Sequence, residues 1–304
     1  GMHVHRLRRC CLSVPGSHDK MLAKAATLAV DQIVIDLEDA VAPDQKASAR
    51  EKTLAALATP WQATSVTVRI NGVNSPHCLR DVIALSESER PGGQAIASLI
   101  LPKTQDIGHI DFVAKLMDQL EVDENPSAAQ SIEALIEDAE GMINVNDIAL
   151  ASERVEALIF GMGDFAAAQG IQTTVIGDQS DYAADLWHYP RYRLIMAARA
   201  AGIAAVDGPY AAFRDLVGLT KDSRTARLLG MNGKWAIHPD QVACITEIFS
   251  PTQAQVDTAR KQKAAFLAAL ATGQGAVAVD GAMVDQAAIN LLEPLLAEAE
   301  LLGM

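Results

Sequence analysis

Two textures alternate along the chain. Short runs rich in Val, Ile and Leu, too brief and too evenly apolar to be amphipathic helices, give way to longer stretches where apolar residues return at helical spacing among Ala, Glu, Lys and Gln. Eight runs read as strands: 10–16 "CCLSVPG", 32–39 "QIVIDLED", 65–71 "SVTVRIN", 97–103 "ASLILPK", 132–138 "IEALIED", 155–164 "VEALIFGMGD", 203–210 "IAAVDGPY" and 234–239 "KWAIHP". Helices are predicted between them at Asp19–Ala29, Pro43–Leu57, Ser75–Leu85, Ile107–Leu120, Val145–Ala151, Arg191–Ala201 and Asp222–Leu229. Eight βα units predict a (β/α)8 TIM barrel, an α/β fold; a doubly wound open sheet shows the same alternation and is its rival.

The strand ends favour the barrel. Polar residues recur at the C-terminal edge of nearly every run: Asp36, Glu38 and Asp39, Arg69 and Asn71, Lys103, Glu137, Asp164, Asp207 and His238. A barrel gathers all of these around one mouth, where catalytic groups are normally placed. An open sheet would line them up and bring together only those near its switch point. No Gly-rich dinucleotide fingerprint follows the first strand, because "VPGSHDK" holds a single Gly. Past residue 250 the texture changes to a helical stretch over 251–270, a small-residue segment "ATGQGAVAVDGAMVDQ" and a final helix reaching Leu302. The predicted organisation is a catalytic barrel over 1–250 and a helical extension over 251–304, serving as a lid or an oligomer contact.

Composition narrows the partners. Half of the 304 residues are hydrophobic, enough for a large core. Lys and Arg number 25 against 38 Asp and Glu, a formal net charge of -13 that argues against nucleic acid. No apolar run approaches the length of a membrane span, and the basic N-terminus lacks the apolar segment of a secretory signal, so no membrane partner is expected. The cysteines, Cys10, Cys11, Cys78 and Cys244, form no CxxC, and adjacent residues rarely make a relaxed disulfide. Reduced thiols and a cytoplasmic location are the expectation.

Two apolar strands in succession end on carboxylates, at Glu137 and at Asp164. On adjacent strands they would reach one divalent ion, and with no His or Cys cluster nearby the suitable ion is Mg²⁺, which keeps several waters and takes other ligands from its substrate. Helix capping is the plainer use of each acid alone. Arg69 puts a cation at the end of "VTVRIN", where its planar fork suits a substrate carboxylate beside the metal; an ion pair with Asp36 or Glu38 is the structural alternative, and the two uses are compatible. In "DLEDA", alternation places Asp36 and Glu38 on one face as candidate catalytic residues, able to hold Arg69, Lys46 or metal-bound waters. Lys103 and His238 are weaker signals.

Together these segments resemble the citrate lyase β-subunit family, which includes the malyl-CoA and citramalyl-CoA lyases and belongs to the HpcH/HpaI aldolase superfamily. The likeness runs through "VPG", "DLEDAVAPDQKASAR", "VRIN", "LPK", "ALIEDAEGMINVNDIA", "RVEALIFGMGD", "AAVDGPY", "GMNGKWAIHPDQV", "FSP" and "DGAMVD". The resemblance implies a Mg²⁺-dependent barrel, usually a homotrimer, that makes or breaks a carbon–carbon bond between an acyl-CoA and a 2-oxo acid. Its substrate would be a 3-hydroxyacyl-CoA such as malyl-, citramalyl- or citryl-CoA. By the same resemblance Glu137 and Asp164 match the metal ligands and Arg69 the carboxylate-binding arginine. Asp285 matches an acid that the C-terminal lid carries over a neighbouring subunit's site. Where many relatives have Asn-Arg-Pro after "VPG", this chain has Ser17, His18 and Asp19, which moves the expected CoA phosphate contacts to Lys20, Lys24 or Arg9. The segment "YPRYR" leaves Arg191 as the counterpart of another family arginine, expected to bind substrate or CoA. A thioesterase or malate-synthase-like outcome on the same scaffold, and a subunit active only within a citrate lyase complex, are the alternatives.

Overall fold

In a computed structural model, which describes residues 6–87, 91–121, 129–176 and 184–304, the apolar runs form eight parallel strands. They are β1 Cys10–Pro15, β2 Gln32–Asp36, β3 Ser65–Arg69, β4 Ser98–Leu101, β5 Ser131–Ile136, β6 Val155–Phe160, β7 Ala204–Asp207 and β8 Gly233–Ala236. Neighbours in sequence are neighbours in the sheet, and β1 pairs with β8 through Cys10↔Lys234, Cys11↔Trp235 and Leu12↔Ala236. That last ladder closes a (β/α)8 barrel and excludes the open sheet. Around it run α1 Asp19–Ala25, α2 Lys46–Ala56, α3 Cys78–Glu87, α4 Ile107–Leu120, α5 Ala139–Ile143, α6 Val145–Ala149, α7 Met162–Gln169, α8 His188–Ala201, α9 Leu216–Leu229 and α10 Val242–Ile248.

The strands read as continuous apolar runs because both of their faces are covered. Alternation sends Cys11, Val34, Ile100, Leu135, Ile159, Val206 and Trp235 into one small cluster that fills the barrel. The intervening residues, such as Ile33, Ile35, Val66, Val68, Ala134 and Ile136, join the larger core shared with the helices. Below the interior cluster the buried Glu133 lies 3.4 Å from Arg8 Nε and receives hydrogen bonds from Gln32 and Ser98. These groups plug the N-terminal end of the barrel and leave the opposite mouth for chemistry.

Every strand ends earlier than the hydrophobic pattern predicts, and at β2 the cause is a polar edge residue that binds the backbone of its own loop. Asp36 accepts the N–H groups of Glu38 and Ala40 at 2.8 and 2.9 Å, which bends the chain out of the ladder. Asp164 accordingly lies in the first turn of α7 instead of on β6. Helix α9 starts six residues before the predicted Asp222, at an N-cap where Asp215 accepts Gly218 N–H at 2.9 Å. Part of the long segment before α8 lies outside the described residues.

The chain divides into two compact units, one spanning Arg8–Phe249 and the other Ser250–Met304 with the residues just before Arg8. The second unit contains α11 Gln253–Ala271, β9 Ala276–Val279, β10 Ala282–Asp285 and α12 Gln286–Leu301. The predicted small-residue segment is thus an antiparallel hairpin. Its turn is Asp280-Gly281, both at positive φ (49° and 82°), the conformation a two-residue hairpin demands. Phe266, Val279, Val284 and Ile289 form a small core of its own. Among the described residues no helix is long and apolar enough to cross a membrane.

Candidate active site

At the mouth, the β2–β3 register sets Asp36 beside Arg69. Arg69 Nε donates to Asp36 Oδ1 at 2.8 Å and Nη2 to Oδ2 at 2.6 Å, a bidentate pair. With the two backbone N–H groups noted above, both Asp36 oxygens are engaged. Burial pushes this carboxyl upward, but the Arg69 guanidinium and the N–H donors outweigh it and hold Asp36 below the usual carboxylate range. Asp36 therefore positions Arg69 and is not a free acid or base, a correction to its expected catalytic role. The opposite guanidinium edge is less committed: Nη1 lies 3.8 Å from Glu38 Oε1. That oxygen finds no hydrogen-bond partner among the described residues.

Lys103 links three loops. It follows β4 at φ 52°, a left-handed conformation that costs a non-glycine residue about 1–2 kcal/mol. The bend aims its N–H at Glu137 Oε2, 2.7 Å away, while its ammonium group binds Glu38 Oε2 and lies 3.5 Å from Asp39. Burial raises the Glu38 carboxyl above its ordinary value, against the pull of Lys103 and Arg69.

Glu137 stands one residue beyond β5 and is 4% exposed. Its side chain lies against Gly161, where a Cβ would sit 2.5 Å from Glu137 Cγ, so the close approach requires glycine. Burial, with the charge of Asp164 adding to it, pushes the Glu137 carboxyl up to about 8 despite Arg69 and Lys103. Asp164 itself is exposed. A buried carboxylate beside a second acid is a poor site for lone negative charge and a good one for a divalent cation. Among the described residues no group of three or more His, Cys, Asp or Glu forms a metal cage. Two oxygen donors without soft ligands fit Mg²⁺, which draws its remaining ligands from water and substrate.

Arg191 and Arg9 are committed to other partners. Arg191 is fully buried, donating to Asp207 at 3.0 and 2.9 Å and to Asp222 at 2.7 Å. Lys234 Nζ joins both acids at 2.7 and 2.8 Å. These four groups pin α8 and α9 to β7 and β8, so Arg191 is not available to CoA, which corrects that assignment. Arg9 precedes β1 at the closed end of the barrel and is clamped to Asp31 at 2.7 Å, so it too is removed from the phosphate contacts. Lys20 and Lys24 are exposed on α1, with Lys20 in the first turn, nearer the mouth. Asp285 ends the hairpin of the second unit, exposed, and caps α12 by accepting Ala288 N–H at 2.9 Å. His238 caps the turn at Pro239–Gln241 and stacks on Phe213 with centroids 4.5 Å apart.

Two features escaped the sequence. One is the Lys234–Asp222 pairing, for which a lysine inside an apolar strand was the available signal. The other is Trp235, whose ring centroid lies 5.3 Å from Arg69 Cζ, a cation–π distance.

The sequence pattern of one family, described as HpcH/HpaI aldolase/citrate lyase, matches residues 9–239. The chain belongs to this family. An L-malyl-CoA/beta-methylmalyl-CoA lyase of Cereibacter sphaeroides is 38% identical over 309 residues, 98% of this chain and 96% of that protein. A (3S)-malyl-CoA thioesterase of the same species is 34% identical over 293 residues, 96% and 94% of the two chains. Among solved structures, CitE from Mycobacterium tuberculosis in complex with magnesium, acetoacetate and coenzyme A aligns with a TM-score of 0.74 at 28% identity, covering 96% of this chain and 97% of that one. With this kinship the protein is an enzyme of the lyase class.

Proposed function

We propose that the protein cleaves, and in reverse forms, a short 3-hydroxyacyl-CoA, giving an acyl-CoA and a 2-oxo acid, with Mg²⁺ held by Glu137 and Asp164. The observation that carries this reading is the Arg69 fork, fixed on one edge by Asp36 and held on the other only by a 3.8 Å ion pair with Glu38, next to the buried Glu137. When bound, the ion would supply Lewis-acid polarisation of the oxo-acid oxygen. Arg69 holds the acid's carboxylate and so fixes the orientation of the bond to be broken. In the cleavage direction the substrate hydroxyl loses its proton, its oxygen becomes the oxo group, and the electron pair of the carbon–carbon bond passes to the α-carbon of the thioester. A proton delivered there completes the acyl-CoA. Glu38, with an unpartnered oxygen beside Arg69, is the barrel's own acceptor for the hydroxyl proton. Asp285 of a neighbouring subunit in a homotrimer is the group assigned to the acyl carbon, and the exposed Lys20 and Lys24 are assigned to the CoA phosphates.

The kinship to a malyl-CoA thioesterase supports a second reading, in which water attacks the thioester on the same scaffold. One incubation separates the two. Purified chain, Mg²⁺ and a panel of malyl-, citramalyl- and citryl-CoA are analysed for 2-oxo acid and for free thiol. Oxo acid without thiol is the expected result. Thiol without oxo acid refutes the lyase, and silence of the isolated chain moves its activity into a citrate lyase complex.

A further inference from the structure

Trp235 is the large side chain of the barrel interior that the charged residues of the mouth leave unexplained. It is 4% exposed and packs with Val34, Ile100, Leu135 and Val206. Its ring lies against the guanidinium of Arg69, 5.3 Å from Cζ to centroid. Its indole Nε1, although buried, has no hydrogen-bond partner among the described residues. Buried indole N–H groups normally find one, and phenylalanine would fill similar space without leaving a donor stranded. Two donors with capacity to spare therefore share this part of the barrel: Trp235 Nε1, without a partner among the described residues, and Arg69 Nη1, which has a 3.8 Å ion pair with Glu38 in place of a hydrogen bond.

We propose that Trp235 is a substrate-contacting residue: its ring floors the 2-oxo-acid pocket and its N–H donates to an oxygen of the acid that Arg69 grips. The inference rests on the lyase reading above and adds a determinant of which oxo acid fits, because the depth of the pocket is the distance to an indole that cannot yield. The test uses full-length protein with ¹⁵N-labelled tryptophan, whose three indole resonances come from Trp61, Trp187 and Trp235. With Mg²⁺ present, saturating pyruvate or glyoxylate should shift the Trp235 resonance, identified by its loss in Trp235→Phe. If that variant does not fold, Trp61→Phe and Trp187→Phe identify it by elimination. In folded Trp235→Phe the pyruvate Kd should rise roughly 10-fold or more while the KM for acyl-CoA stays unchanged, a split that loss of packing would not produce. Pyruvate binding with the Trp235 resonance unmoved, or equal affinity in Trp235→Phe, overturns this inference and leaves the lyase reading standing. Wild-type protein that binds none of pyruvate, glyoxylate and oxaloacetate overturns both.

Discussion

Adding one methyl group at Gly161 should weaken metal binding without disturbing the fold. Gly161 precedes α7 at φ -90°, a value alanine adopts freely, so the backbone does not resist the change. The new Cβ would lie 2.5 Å from Glu137 Cγ and 3.1 Å from its Oε1. Carbon atoms pack at about 3.5–4.0 Å, so the Glu137 side chain must retreat by about 1 Å. It has little room to do so, being buried and tied through Oε2 to Lys103 N–H at 2.7 Å. Retreat stretches that bond beyond useful geometry, and a hydrogen bond to a charged group contributes about 1.5–3 kcal/mol. If that whole amount is lost from the positioning of one metal ligand, affinity falls by roughly 10- to 150-fold, in line with the cost of disturbing groups that orient metal ligands. The assay is the Mg²⁺ concentration giving half-maximal oxo-acid release from Gly161→Ala, with metal binding measured by calorimetry and a melting curve as control. An unchanged Mg²⁺ dependence in a folded variant refutes the claim that Glu137 is a ligand held against Gly161.

Asp164→Ala should abolish metal-dependent turnover with little loss of melting temperature, because the side chain is exposed in the first turn of α7; full activity would remove Asp164 from the ligand set. Asp222→Asn should destabilise the barrel by about 3 kcal/mol, since it leaves Arg191 and Lys234 buried with Asp207 as their remaining acid. Burial raises the Asp222 carboxyl, but Lys234 and Arg191 prevail and depress it. Its contribution is therefore fully present above the unfolded carboxylate range, near pH 4, and is lost as pH falls through the depressed folded value. Melting temperature followed from pH 7 to pH 3 should fall less steeply in Asp222→Asn than in wild type, and parallel acid limbs would contradict the assignment.

The barrel was legible because parallel strands covered on both faces must be apolar throughout, and eight such runs stand out against helical spacing. Their ends were not legible. Whether Asp36 continues a strand or folds back onto the N–H groups of Glu38 and Ala40 is decided by side-chain bonds that leave no mark on hydrophobic periodicity. Arg69 and Glu137 could be found because a charge at the end of a buried strand needs a reason. Arg191 was assigned by resemblance alone, and its partners, Asp207 and Asp222, lie 16 and 31 residues away and face it only after the barrel closes. Trp235 gave no signal, since an aromatic residue in an apolar strand is indistinguishable from core until β8 meets β1.

Two charged clusters of the barrel differ in balance, and the difference separates structure from chemistry. Between the strands and α8–α9, two acids face two cations in a dry setting, so that set is neutral by itself. At the mouth, the five acids Asp36, Glu38, Asp39, Glu137 and Asp164 outnumber the three cations Arg69, Lys103 and Lys46, which leaves an excess of acids where a substrate carrying a carboxylate and CoA phosphates would bind. Arg69 alone does not offset it, because Asp36 already holds one edge of its guanidinium. A divalent cation offsets most of that excess beside Arg69, so chelation should abolish pyruvate binding as well as turnover. Calorimetric titration with pyruvate in the presence and absence of Mg²⁺ measures this directly. Equal affinity in both conditions would mean that Arg69 recruits the acid unaided and that the excess of acids at the mouth serves another purpose.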